Sequence, residues 1–190
     1  MTNEWWQSSA VDAFRNASDE FLALIEARDG LSAEDLLHRA HLQLARLYAL
    51  GVELPTKPAS AYEEVDEDAE LTHDSAGAEE FVRRWAPLLR TLEAKIGRRW
   101  NFYQEVFDPY RDPPEAPVTG SLADDLAGVY LDLLKGRDHW QHGRPAEAVW
   151  EWRFGFESHW GEHATGALRA IRTLASTYDL GFPDSVARDA

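Results

Sequence analysis

One stretch of this chain constrains its fold more than any other. Between residues 145 and about 178, Val149, Phe156, Trp160, Ala164, Ala167, Ile171, Leu174 and Tyr178 fall on one stripe when residues are plotted at helical spacing. That period marks a helix buried along one side. Pro145 suits a first helical turn, where its missing N–H costs nothing, and Gly181 followed by Pro183 is a stop signal. The pattern predicts one long helix. Gly155, Gly161 and Gly166 interrupt it, each costing about 1 kcal/mol relative to Ala, so either another backbone comes close there or the helix bends. Gly161, beside Trp160, is expected to face a close neighbour, with the Pro-rich segment 113–117 as the expected one. Arg153 and Glu157, four apart, also lie in the stripe. They read either as a mutually satisfied pair at the rim of the core or as the polar floor of a pocket.

Upstream, Trp5 and Trp6 precede Ser8 and Ser9, the arrangement of a hydrophobic staple before a cap. The first helix then runs to about residue 28 with Val11, Phe14, Phe21, Leu22 and Ile25 inward. Ser32 with Asp35 resembles a capping box for a second helix with the stripe Leu36, Ala40, Leu44 and Leu47, ended by Gly51. Residues 52–77 change character. Pro55 and Pro58 block regular structure, and between Ala61 and Glu80 there are nine acidic residues with no Lys or Arg. Such a run predicts a solvated linker within the domain. A third helix over 78–96 should kink or split at Pro87 and end at Gly97. A short aromatic helix over 98–107 carries Trp100, Phe102, Tyr103 and Phe107, and a Pro-rich loop follows to Thr119. Ser121 with Asp124 opens a fifth helix, with Leu122, Leu126, Val129, Leu133 and Trp140 facing the core and Gly143 ending it. Only Gly143 and Arg144 separate it from the long helix, so the two form an antiparallel hairpin. No strand-like alternation of any length is visible. The expected fold is all-α: one domain over 1–190, a bundle of five to six helices with a long C-terminal helix hairpinned on the preceding one.

Composition narrows function. The formal charge of −15, from 19 basic and 34 acidic residues, argues against nucleic acid or an anionic membrane as partner, since both need a basic surface. There is no Cys, which removes disulfides and thiol catalysis. No signal-peptide pattern and no bilayer-length apolar run are present, so the cytoplasm is the expected location. Six of the seven His form pairs: His38 and His41, His139 and His142, His159 and His163. Spacings of three and four put two imidazoles on one helix face, the spacing used for chelation. His159, Glu162 and His163 also spell the inverted zinc-protease pattern H-x-x-E-H. That chemistry needs an acidic ligand well downstream, and only 27 residues follow His163. No metal or cofactor is expected, with His159 and His163 as the candidates should one bind. Asp125 and Asp132 stand in a column with His139 at intervals of seven. Their backbones are about 10 Å apart, facing Arg153 or a His across the hairpin, as acids of a site or as a structural ion pair. No P-loop, Gly-rich phosphate loop or nucleophile elbow occurs.

Tyr103-Gln-Glu-Val-Phe-Asp-Pro-Tyr110, Ser121-Leu-Ala-Asp-Asp-Leu-Ala127 with Tyr130 and Asp132, and Ala148-Val-Trp-Glu-Trp152 with Trp160-Gly161 and Ala167-Leu-Arg-Ala170 together resemble a bacterial family known as domain of unknown function 5063. The likeness covers residues 98–174 in order and spacing. It implies a soluble helical protein of about this length and carries no assigned activity. Gly128 stands where the pattern usually has Asp, and the positions of His159 and His163 do not require His.

Two expectations for function follow. The first is a non-enzymatic bundle that binds another protein or itself, motivated by an excess of Trp. An aromatic, Gly-rich helix can present an apolar groove, and exposure of Trp5, Trp6, Trp100 and Trp152 is the feature that distinguishes this reading. The second is a small-molecule binder or enzyme with a pocket between helices five and six. Asp125, Asp132, Arg153, Glu157 and His159 would line it, with Trp152, Trp160 and Gly161 also among the candidate binding residues. No catalytic residue is singled out.

Overall fold

Three serines open helices as the local patterns predict. Ser8 Oγ accepts from the Val11 N–H at 3.2 Å, Ser32 Oγ from Asp35 at 3.0 Å, and Ser121 Oγ from Asp124 at 3.3 Å, each satisfying a donor the first turn leaves free. The structure is a computed structural model describing residues 4–58, 75–106 and 108–177. Among them α1 spans Ser9–Glu26, and a 3-10 turn at Arg28–Gly30 leads into α2, Ala33–Glu53. Then come α3, Ser75–Ile96, the single turn α4, Arg98–Asn101, and the strands β1, Phe102–Glu105, and β2, Val118–Ser121. The last helices are α5, Leu122–Gln141, α6, Pro145–Ser158, and α7, Trp160–Thr177. The part of the acidic segment at 59–74, together with Phe107, Tyr178, Gly181 and Pro183, lies outside the described residues.

The fold is a helical bundle built around α5, which packs against α1, α3, α6 and α7, while α2 lies between α1 and α7. At its centre Phe14 meets Trp152 and Trp160, with ring centroids 5.3 and 5.8 Å away. All three are buried. Burying a large apolar side chain stabilises by about 1.5–3 kcal/mol, and each indole also places its N–H. Trp152 Nε1 donates to the Leu133 carbonyl at 3.1 Å and Trp160 Nε1 to the Trp152 carbonyl at 2.9 Å. An unpaired indole donor in this core would forfeit part of the burial gain.

Several expectations are corrected. The long C-terminal helix is two helices, broken at His159, whose φ of −153° and ψ of −75° leave the helical region. Both halves lie along α5, so the antiparallel hairpin holds with a bent second arm. The bend follows from packing. It folds Trp160 back onto the Trp152 carbonyl and brings Gly161 onto the Phe156 carbonyl, where a Cβ would approach closer than 3.0 Å. Segment 113–117 is therefore not the neighbour of Gly161. The aromatic helix expected over 98–107 lasts four residues and becomes β1. β1 pairs antiparallel with β2, Phe102 opposite Ser121 and Glu105 opposite Val118, so a small sheet exists where no strand was expected. Gly51 does not end α2, which continues to Glu53. It is glycine because Trp160 and Phe156 press on it, and a Cβ would lie 2.8 and 2.9 Å from their rings. Pro87 stays inside α3 without splitting it. Gly97 and Gly143, with φ of +75° and +73°, do turn the chain where expected, after α3 and α5.

Candidate functional site

The bend at His159 turns two imidazoles toward α5. His159 Nδ1 lies 2.8 Å from Asp132 Oδ2, and one turn later His163 Nδ1 lies 3.0 Å from Asp125 Oδ1. Residues seven apart on α5 thus meet residues four apart on the other arm of the hairpin. The two Nε2 atoms face each other at 3.3 Å. From β1, Tyr103 donates its hydroxyl to Asp125 Oδ2 at 2.8 Å. A polar chain therefore runs Tyr103–Asp125–His163–His159–Asp132 across three elements.

The backbone is cut back to make room for it. A Cβ on Gly128 would meet the His163 ring at 2.8 Å, and one on Gly166 would meet the Tyr103 hydroxyl at 2.5 Å. Neither position tolerates a larger residue without moving a member of the chain.

Burial governs the electrostatics. Asp125 is buried, which raises its pKa, while hydrogen bonds from His163 and Tyr103 oppose the rise. Burial alone would lower the His163 pKa. The hydrogen bond and charge of Asp125 outweigh it, and the net direction is upward. Burial and then the Asp125 charge push Tyr103 up, so its hydroxyl keeps its proton and acts as a donor. Glu105 is raised by burial first and the Asp125 charge second.

Two cavities lie near this chain of groups, the larger one against Tyr103. The smaller, about 220 Å³, is lined by Glu105, Asp124, Asp125, His159, Glu162 and His163, among others. The larger, about 560 Å³, lies between α4, β1 and α7, against Arg99, Trp100, Phe102, Tyr103 and Arg169. Arg169 donates to Glu105 at 3.2 Å and sits 5.9 Å from the Tyr103 ring centre. Arg99 is exposed and has no partner among the described residues.

Of the residues expected at a site, Asp125, Asp132 and His159 come together, joined by His163. Arg153 and Glu157 do not. They pair with each other at 2.7 Å, and Arg153 Nη1 donates to the carbonyls of Gly51, Val52 and Leu54 at the end of α2. They close the rim of the core, one of the two readings their spacing allowed. Trp152, Trp160 and Gly161 are buried and serve packing. The polar site thus lies between α5 and α7, the second half of the long helix expected to follow helix five. Tyr103, Glu105, Arg99 and Arg169 were not anticipated as site residues. The signal for the first two is their spacing of two, which puts both side chains on one face of a strand. It becomes readable once residues 102–105 are known to be extended.

The architecture is that of an all-α bundle in which the small β1–β2 sheet roofs a polar cleft on the central helix. This chain belongs to the family described as domain of unknown function (DUF5063), whose family model matches residues 6–177. Its fold is similar to the crystal structure of protein BF1032 from Bacteroides fragilis, at 17% identity and a TM-score of 0.67, covering 94% of this chain and 97% of that one. At that identity the likeness speaks to fold alone. Comparison with curated proteins found no match. Among the described residues no helix is long and apolar enough to cross a membrane.

Proposed function

We propose that this protein binds a small organic anion with a flat apolar body. The supporting observation is the 560 Å³ cavity, which Arg99 and Arg169 line together with Trp100, Phe102 and Tyr103. Its volume falls in the range of about 300–1,000 Å³ common for ligand sites. A guanidinium presents a planar fork of donors that matches a carboxylate or phosphate. Arg169 offers more donors than its bond to Glu105 uses. In a chain of net charge −15, an anion needs a local reversal of sign, and these two side chains supply one. The rings give the ligand body faces to stack on.

The probe for this reading is anilinonaphthalene sulfonate, an aromatic anion whose fluorescence rises on binding. Saturable binding is expected, weakened about tenfold or more by Arg99→Gln or Arg169→Gln, as loss of a charge-assisted contact implies. Arg137→Gln removes a guanidinium paired with Glu26 instead and should leave binding unchanged. Equal affinity in all three variants sinks the proposal.

Association with a second copy of this chain is a second reading. Of the four tryptophans that motivated it, Trp152 is buried, and Trp5, Trp6 and Trp100 pack partly on the core. Its support comes instead from Trp150 and Phe154 on α6, stacked with centroids 5.0 Å apart, with Phe154 51% exposed. A twofold axis would let one such pair meet another. Sedimentation as a monomer at high concentration would remove this reading.

A further inference from the structure

The paired imidazoles pose a problem of proton placement. Both Nδ1 atoms face carboxylate oxygens, at 2.8 and 3.0 Å, so both carry their hydrogen there. A neutral imidazole with its hydrogen on Nδ1 has a bare lone pair on Nε2. Two bare lone pairs 3.3 Å apart repel, so a positive species belongs near both: a shared proton or a metal ion.

We propose that His159 and His163 are ligands of a divalent transition-metal cation of the zinc type, bound through both Nε2 atoms at the smaller cavity. The separation is long for a shared proton and suits a bridging metal ion. A hydrogen bond donated by nitrogen is most often about 2.9–3.0 Å long, and 3.3 Å exceeds that. Two zinc–nitrogen bonds of about 2.05 Å whose ends are 3.3 Å apart enclose an angle of about 107°, close to tetrahedral. The ring centres are 4.6 Å apart, farther than the Nε2 atoms, so the rings turn those corners toward each other.

The surroundings agree. Each imidazole is held from behind by its own carboxylate, Asp132 for His159 and Asp125 for His163. Such carboxylate–histidine pairs fix the tautomer and raise ligand basicity at metal sites. Tyr103 in turn holds Asp125. The cavity of about 220 Å³ opens beside both rings, with Glu162 and Glu105 on its walls. Among the described residues no group of three or more His, Cys, Asp or Glu is arranged around a single metal position. The proposed protein ligands are therefore the two imidazoles, with the remaining positions of a tetrahedral cation left to water or a small anion.

The test uses the full chain and zinc chloride at neutral pH, followed by titration calorimetry. One bound equivalent is expected, lost in His159→Gln and His163→Gln. Asp132→Asn should weaken binding about 10–100-fold, as loss of such an outer carboxylate does elsewhere. His142→Gln, in another His pair, should bind as wild type. His159 is 46% exposed on its side chain, so its variant is the one least prone to unfolding, and circular dichroism checks this. Cobalt(II) in place of zinc should give the intense visible absorption of a four-coordinate site. No bound equivalent in wild type, zinc retained by His159→Gln, or the weak absorption of an octahedral cobalt complex would each overturn the proposal. Sulfonate binding through Arg99 and Arg169 uses other side chains, so either proposal can fail without the other.

Discussion

Replacing Gly161 by Ala tests whether the bend between α6 and α7 is made by packing. In an ordinary exposed helical position this change stabilises by up to about 1 kcal/mol. Here the added Cβ would lie closer than 3.0 Å to the Phe156 carbonyl oxygen, and 3.1 and 3.2 Å from two atoms of its ring. The oxygen belongs to the backbone of α6 and cannot swing aside. The ring is held too, with centroids 5.2 Å from Tyr48 and 4.9 Å from Trp160. Overpacking of this kind costs about 1–3 kcal/mol. Set against the helix gain, the variant should be less stable by about 1–2 kcal/mol. For a chain of this size that lowers Tm by about 2–8 °C. Urea denaturation beside wild type is the assay, read as a lower midpoint with an unchanged slope. Gly30→Ala is the control, since a Cβ there meets nothing within 4 Å, and it should be neutral or slightly stabilising. A Gly161→Ala protein as stable as its parent, or more so, would show that the bend does not depend on this contact.

Gly128→Ala puts a Cβ 2.8 Å from the His163 ring and should destabilise by about 1–2 kcal/mol. On a His163→Ala background the same change should instead stabilise by up to about 1 kcal/mol, and additive effects in the double-mutant cycle would show that the cost does not come from the His163 ring. His41 has a pKa lowered by burial first and by His38 second, so below the ordinary histidine pKa the unfolded chain binds more protons than the folded one. Stability should therefore fall as pH drops through about 6.5 and below. Urea midpoints of His41→Gln should fall less than those of wild type over that range, and parallel curves would refute the assignment.

Some features of this protein are written in residues a few positions apart, and those were legible. Ser8, Ser32 and Ser121 cap helices because a hydroxyl reaches a backbone N–H three residues on, a contact that needs no other part of the chain. The apolar stripes of α1, α2 and α5 became the core because helical period alone decides which side chains share a face. The pairings at the site were half legible. The column of Asp125 and Asp132 and the pair of His159 and His163 were each visible. Their match depends on the hairpin register and on the bend at His159, which is set by where Trp160 and Gly161 meet α6. Arg153 and Glu157 carried the same helical spacing as His159 and His163. Only the end of α2, about a hundred residues earlier in sequence, draws Arg153 away from α5. The hairpin was invisible for the same reason. Phe102–Glu105 is extended because it bonds to Val118–Ser121, and four residues do not hold a strand without a partner. Local hydrogen bonds and periodicity thus determined the helices. Contacts between distant segments decided where they bend, what roofs the cleft and which charges meet in it, since those energies exist only once the chain has folded.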